Sequence, residues 1–476
     1  MILFLRPVFY IRALIPHDEY MLNSIESFLS QAVDYVWGLP TIVILIISGI
    51  ALSIILGGFF GGIQRKAVLH GIQVVRGKYD KHDDPGQITH FQALMTALSA
   101  TIGLGNIGIV AIIIKYGGPG AVFWMIVAGV IGMAVKYAES TLAILFRKID
   151  ADGVVHGGPM YYMEQGLGKQ FKPMAKFYAL AIAIGSFGIA NMFQTNQSAV
   201  ILHQSFGIPH LATGIVIMIL AAFVIIGGIT RIAKVTSYLV PFMAVTYVIG
   251  CLIVIAHHID KIPGLIQIII TGAFTDTGLA GGAVATMHMA ILQGVKRACF
   301  SNEAGLGSAA IAHSAAATTE PVREGVVALL GPLIDTVIIC TLTAMVILTT
   351  GVWETSELVG VPLTAAAFDT VVQGFGSYFI PVAATLFAFS TLISWSYYGE
   401  TAVYYLTGQK GVIPFKVVFC FIALLGAIWK VQAVLDFSDI MTGMMVFPNI
   451  LAIWLLLPHL KKQTKRYFEK LDNGEF

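Results

Sequence analysis

The chain has 476 residues, 57% of them hydrophobic and only 11% charged, where a soluble domain carries roughly 25% charged residues. That balance excludes a disordered chain. The four cysteines (Cys251, Cys299, Cys340 and Cys420) lie in apolar runs and read as small hydrophobes, so a disulfide scaffold is excluded too, and a net charge of +2 carries no nucleic-acid signal.

Residues 1–38 are weakly apolar and carry Asp18, Glu19, Glu26 and Asp34. They lack the basic start, apolar stretch and small-residue site of a signal peptide. Residues 21–37 predict an amphipathic interfacial helix, because Leu22, Ile25, Leu29, Val33 and Val36 recur at helical spacing. Eleven apolar runs follow, at 39–60, 91–115, 119–146, 173–203, 207–228, 231–257, 281–316, 321–351, 371–407, 413–430 and 434–458. Runs of this length predict transmembrane helices. A barrel strand would alternate apolar and polar residues, whereas Ile42–Ile50 is continuously apolar. The polar stretches 61–90 and 147–172 are too short to fold as separate domains. The expected protein is therefore an all-α membrane protein of eleven spans, with residues 459–476 as a polar tail.

Orientation follows from the basic residues. Loops after odd-numbered spans, with the C-terminal tail, hold twenty Lys and Arg; loops after even-numbered spans, with the N-terminal segment, hold five (Arg6, Arg12, Lys115, Lys261 and Lys430). The positive-inside rule then places the N-terminus outside and the C-terminus in the cytoplasm.

Gly-Leu-Gly occurs at 103–105 in the second span and at 305–307 in the seventh, each within a polar patch of an apolar run. An offset of five spans puts corresponding helices in opposite directions. The pattern predicts an inverted-topology repeat, residues 91–257 and 281–458, with the helix at 39–60 outside it. A third copy at 166–168 lies in a loop and shows that the tripeptide alone is cheap. Interrupted helices at matching positions point to a midplane transport site, since glycine lets the backbone leave helical geometry and the freed N–H and C=O groups must face a cavity or a ligand.

Ionisable residues inside spans are functional candidates because they are costly there. Lys136 and Glu139, spaced i,i+3, are expected to form a local ion pair. Lys296, Arg297 and Glu303 surround the second break, as a gate or as a charged helix end. Asp335 and Glu400 face the interior, for structural hydrogen bonds or for proton carriage. Asn191, Gln194, Asn196 and Gln197 are expected to wall a polar cavity, with helix–helix contacts as the alternative. Phe387, Ser390 and Thr391 share a helix face at i, i+3, i+4. There is no Walker A sequence, CxxC or HExxH. Secondary transport leads; a channel and a membrane-embedded enzyme are the rivals, one lacking a reason for broken helices in a single chain, the other lacking clustered catalytic groups.

At TALSATIGLGNIG (96–108), GGPGAVFWM (117–125), GGPMYYMEQGLG (157–168), FSNEAGLGSAAIAH (300–313) and STLISWSYYGE (390–400) the chain resembles the alanine or glycine:cation symporter family, from about Met21 to Leu460. The resemblance implies the five-plus-five inverted-repeat fold of sodium-coupled amino-acid transporters and a place in the cytoplasmic (inner) membrane. It implies symport of a small neutral amino acid, alanine or glycine, with Na+, and no other cofactor; proton coupling is the alternative and a channel a remote one. Backbone around Gly105 and Asn106 would hold the substrate carboxylate, and Gln194, Thr391 and Trp395 would line the pocket. Sodium would fall on the carbonyls of Ser99, Ile102 and Phe387 and the hydroxyls of Ser390 and Thr391, five hard oxygens around one cation. Two positions depart from the family pattern. Leu104 stands where many members carry Thr, which puts substrate preference in doubt, and Ile126 stands where a Trp usually follows FWM. Residues 1–20 precede the resemblance; either they are a real extension or Met21 is the initiator, and Arg6 and Arg12, disfavoured on a translocated side, favour Met21.

Overall fold

The computed structural model describes residues 28–476 except 30, 59–61, 82, 276–277, 281–282, 286, 372 and 430. Residues 1–20 and most of the start of the expected interfacial helix lie outside the described residues; 31–36 are helical. The chain then runs through Leu39–Gly57 (α1), Gly62–Val75 (α2) and His90–Thr101 (α3). A capping box starts α3: Thr89 Oγ1 accepts from Gln92 N–H, and Gln92 Oε1 accepts from Thr89 N–H. It ends at Ile102, whose ψ of 88° is no longer helical. A π-helical turn at Gly105–Ile109 leads into Val110–Gly117 (α4), bent 50° from α3.

Gly120–Leu145 (α5) is the central helix, buried along most of its length. Lys172–Phe187 (α6), a π turn at Gly188–Met192 and Phe193–Phe206 (α7) form one long stretch. His210–Ile225 (α8) and Gly228–His257 (α9) follow, then Ile262–Phe274 (α10), which lies between two predicted runs and is held to α5 by Trp124 Nε1–H donating to Ala273 O at 3.0 Å. The second interrupted helix is Met287–Asn302 (α11) and Ala309–Ser314 (α12). Helices α5 and α11 approach closely: a Cβ on Gly294 would stand 2.6 Å from Ala121 O.

Pro321–Ala328 (α13), a π turn at Leu333–Cys340 and Thr341–Thr350 (α14) make the next stretch, and Val361–Asp369 (α15) is a short helix whose Thr364 Oγ1 donates to Ile107 O at 2.8 Å. The last helices are Phe375–Thr407 (α16), Val412–Ile428 (α17), Val431–Leu455 (α18) and Leu457–Asp472 (α19). The only strands among the described residues are two short antiparallel hairpins. The fold is all-α in class. Seven helical stretches among the described residues are long and apolar enough to cross a membrane, and eight if the bent pair α3–α4 counts as one.

The polar tail is an ordered helix. Tyr467 of α19 hydrogen-bonds His70 Nε2 of α2 at 2.7 Å, and Tyr137 of α5 and Thr464 of α19 share a 2.8 Å bond. Burial, with the nearby Arg323 and Lys78 cations, pushes the His70 imidazole down to about 4. On the same side Arg147 donates to the carbonyls of Pro85, Ser314, Ala316 and Thr318 at 2.6–2.8 Å, and Glu324 accepts from both His90 and His313. These contacts tie the ends of α3, α5, α12 and α13 together.

Candidate functional site

The two interrupted helices lie side by side in the core. In the first, Asn106 folds back on its own turn: its Oδ1 accepts from Gly103 N–H at 2.9 Å while its Nδ2–H donates to Asp335 Oδ1 at 2.6 Å. In the second, Glu139 Oε1 of α5 accepts from Gly305 N–H (3.0 Å), Gly307 N–H (3.1 Å) and Asn449 Nδ2–H (2.6 Å). Asn449 also donates to Gly305 O at 2.8 Å, and Tyr178 donates to Leu306 O at 2.7 Å. Backbone freed by the break is thus paired inside protein, as a membrane interior demands.

The expected Lys136–Glu139 ion pair does not form. Glu139 is turned to the second break, and Lys136 Nζ is buried with no hydrogen-bond partner. The i,i+3 spacing loses because two glycine N–H groups offer the carboxylate a better set of donors. Lys296 and Arg297 reach Asp439 of α18 at 2.9 and 3.4 Å, and Glu400 pairs with Lys416 of α17 at 3.0 Å. Asp335 accepts from Asn106, Ser301 and Thr336, a structural hydrogen-bond hub.

Between the breaks lies a cavity lined by Ala100, Thr101, Gly103, Gly105, Ile189, Gln194, Phe300, Ser301, Glu303, Thr391 and Trp395. Its volume is ≈ 20 Å³, room for about one water. Of the residues expected at the substrate, Gly105, Gln194, Thr391 and Trp395 meet there; Asn106, expected to contribute its backbone, follows Gly105 in the same turn, and its side chain is engaged by Gly103 and Asp335. Only Gln194 of the four amides reaches the cavity. Asn191 and Asn196 instead donate to the carbonyls of Phe419 (2.6 Å) and of Gly426 and Trp429 (3.1 and 2.6 Å), which joins α7 and the turn before it to α17.

Beside the cavity, oxygens of α3 and α16 converge. Thr391 Oγ1 lies 3.1 Å from both Ser99 O and Phe387 O; Ser390 Oγ lies 2.9 Å from Phe387 O and 3.4 Å from Ser99 O. Ser99 Oγ donates back to Ser390 O at 2.7 Å. Ile102, the remaining expected ligand, is the residue at which α3 breaks, so its carbonyl no longer follows the helical direction. The approach depends on Gly103, where a Cβ would stand 2.6 Å from Thr391 Oγ1.

Glu303, read from sequence as gate or helix end, is a cavity residue: it accepts from Trp395 Nε1–H at 2.7 Å and Ser308 Oγ–H at 2.5 Å. Its place inside the second polar patch was the available signal. Asn449 carried none, since it stands alone in an apolar run. A larger cleft of ≈ 650 Å³, lined by Ile44, Ile47, Met174, Phe447, Leu451 and Trp454 among others, opens on the apolar flank, and its only polar lining side chains are the hydrogen-bonded Ser48 and Trp454, which leaves nothing to hold an amino acid.

The sodium:alanine symporter family profile matches residues 22–476. The sodium/alanine symporter AgcS of Methanococcus maripaludis is 40% identical over 458 residues, covering 95% of this chain and 98% of that protein. An uncharacterised transporter of Haemophilus influenzae is 41% identical over 456 residues (95% and 98%), and the amino-acid carrier protein AlsT of Bacillus subtilis 33% over 455 (94% of each). Among solved structures, MhsT in complex with L-phenylalanine superposes with a TM-score of 0.53 at 14% identity, over 78% of this chain and 98% of MhsT, a likeness of fold. The chain is a membrane transporter, not an enzyme, and it belongs to the sodium:alanine symporter family.

Proposed function

We propose that the protein couples Na+ entry to uptake of a small neutral amino acid, alanine or glycine. The observation that carries this is the oxygen cluster of Ser99, Phe387, Ser390 and Thr391 against the cavity that Gly105, Gln194, Thr391 and Trp395 share. Hard cations of this size hold oxygens at roughly 2.3–2.6 Å, so ligands at right angles stand about 3.3–3.7 Å apart. The separations of 2.9–3.4 Å open by a few tenths of an ångström to admit one. Thr391 faces both cluster and cavity, which supports coupling through a shared side chain. The start of the π turn at Gly105 supports carboxylate binding, because the first N–H groups of a helix attract anions.

Eleven spans follow from folding the longest stretch in two. Phe375–Ile428 has 54 residues. A straight helix of that size is about 80 Å long at 1.5 Å per residue. The hydrocarbon core is only ~30 Å thick, and the chain turns at Gly408, whose φ is 70°. Adding α8, α3–α4 and α11–α12 gives a first helix and two sets of five in the inner membrane, with the C-terminus cytoplasmic by the positive-inside count. Uptake of labelled alanine and glycine into proteoliposomes tests the reading: accumulation should require an inward Na+ gradient. Accumulation driven by a pH gradient without Na+ would replace it with proton coupling.

A further inference from the structure

We propose that the outer face of α2 binds the phosphate headgroups of anionic phospholipids in the cytoplasmic leaflet, and that lipid seated there speeds transport by fixing α2 against α13.

Helix α2 follows α1 after a short turn, on the side that the basic loops assign to the cytoplasm. Its inner face is buried, with Ile63, Ala67, His70, Gly71 and Val74 at helical spacing. Its outer face keeps the same period. Arg65, Leu69, Ile72 and Arg76 stand at i, i+4, i+7 and i+11, all exposed, with exposed Lys66 beside them. Arg76 N–H donates to Ile72 O at 3.1 Å, so the helical turn runs on through Arg76. Leu69 is 73% exposed. In the headgroup region Leu69 and Ile72 reach acyl chains, while the two arginines, about 16 Å apart at 1.5 Å per residue, reach phosphates. No Asp or Glu occurs from Gly62 to Tyr79. The next acid, Asp80, lies 4.0 Å from His90 Nε2. The stripe therefore matches an anionic lipid surface both in charge and in apolar content.

Helix α19 supplies the contrast. It exposes Lys461, Lys462 and Lys465, but no large apolar side chain of Leu457–Asp472 is exposed with them. A polar face that is basic throughout suits water, whereas basic residues interleaved with aliphatic ones suit an interface. Helix α2 is also tied to the transport machinery. A Cβ on Gly71 would stand 2.4 Å from Val326 O of α13, and His70 bonds Tyr467 of α19. Helix α13 carries Glu324, which accepts from His90 at the start of α3 and from His313 near the end of α12. Lipid that fixes α2 thus bears on the cytoplasmic ends of both interrupted helices.

The test compares wild type with an α2 variant, Arg65→Gln with Lys66→Gln and Arg76→Gln, and with an α19 control of equal charge, Lys461→Gln with Lys462→Gln and Lys465→Gln. Alanine uptake is measured in vesicles of phosphatidylcholine alone and of phosphatidylcholine with phosphatidylglycerol. Melting temperature is measured in detergent with added phosphatidylglycerol or inorganic phosphate. Phosphatidylglycerol should speed uptake at least fivefold in wild type and in the α19 control, and leave the α2 variant within twofold of its rate without it. It should raise the melting temperature of wild type and not of the α2 variant, and inorganic phosphate should raise neither. Equal wild-type rates in the two vesicles overturn the proposal, as does a full response in the α2 variant. Loss of the response in the α19 control assigns it to bulk surface charge, and equal stabilisation by inorganic phosphate assigns the face to a free anion; both overturn it as well. The melting measurement needs no substrate: stabilisation by phosphatidylglycerol through α2, with no alanine or glycine uptake in any vesicle, sinks the small-amino-acid reading and not the lipid site. Should the α2 variant not fold, Leu69→Gln, which removes the apolar part of the stripe, is read by the same criteria.

Discussion

The two interrupted helices carry the same tripeptide, Gly-Leu-Gly, at 103–105 and 305–307, yet the molecule closes them differently. The second is clamped from outside: an acid on α5 and an amide on α18 bind both glycine N–H groups and one carbonyl. The first is closed by its own Asn106, which takes only Gly103 N–H, and it leaves Ser99 O to the hydroxyls of α16. A break satisfied by neighbouring helices holds its shape without cargo. One satisfied by exchangeable hydroxyl contacts can trade them for an ion.

The largest effect should therefore come from the clamp. Glu139→Ala strands three donors, at about 1–3 kcal/mol for each group left unpaired. Little folded protein should be recovered, as judged by size-exclusion profile and melting temperature. Glu139→Gln keeps the accepting Oε1 and should fold and melt within a few degrees of wild type; if it collapses as well, charge rather than hydrogen bonding holds the second break. Next is Gly103→Ala, whose Cβ would press on Thr391 Oγ1 at 2.6 Å. Uptake should fall at least a hundredfold while the melting temperature drops only modestly. Thr391→Ala should raise the Na+ concentration for half-maximal uptake about tenfold, roughly 1.4 kcal/mol, at unchanged abundance. An unchanged Na+ dependence would break the contrast drawn above, for the first break would then not be the exchangeable one. Trp395→Ala should admit side chains larger than a methyl or hydroxymethyl group, read by competition with serine, valine and leucine.

The smallest effect lies far from both breaks. His70 has its pKa lowered from 6.5 to about 4 in the folded protein, so the unfolded chain binds the proton more readily. The stability contributed by neutral His70 is full above pH 6.5 and is lost as pH falls toward 4. The melting temperature should decline by a few degrees over that window, and His70→Gln should flatten the decline; an equal slope in both proteins would exclude His70 as its source.

Legibility in sequence followed the range of the interactions. The breaks could be read because glycine beside polar residues in an apolar run is a local signal. Ser390 and Thr391 could be read because one helix face carries both. What failed needed tertiary knowledge. Lys136 and Glu139 are neighbours on α5, but Glu139 finds better donors 166 residues away. Asn191 and Asn196 look like Gln194 in sequence, yet they face α17 backbone. Asn106 was read for its backbone alone, and that its side chain pairs with Asp335 shows only in the packing. Helix α10 was missed because thirteen residues with one buried edge fall short of a spanning length.

Trp395 has a consequence beyond the size of the pocket. Its indole is 2% exposed, and its N–H ends on the Glu303 carboxyl group, so the chromophore is hydrogen-bonded to the one ionisable side chain that lines the cavity. Indole emission responds to such contacts. Glu303→Gln should therefore shift the colour and intensity of the fluorescence. The protein has six tryptophans. With Trp37, Trp124, Trp353, Trp429 and Trp454 replaced by phenylalanine, the remaining indole becomes an optical clock for loading and release, readable by stopped flow without labelling the protein or its cargo.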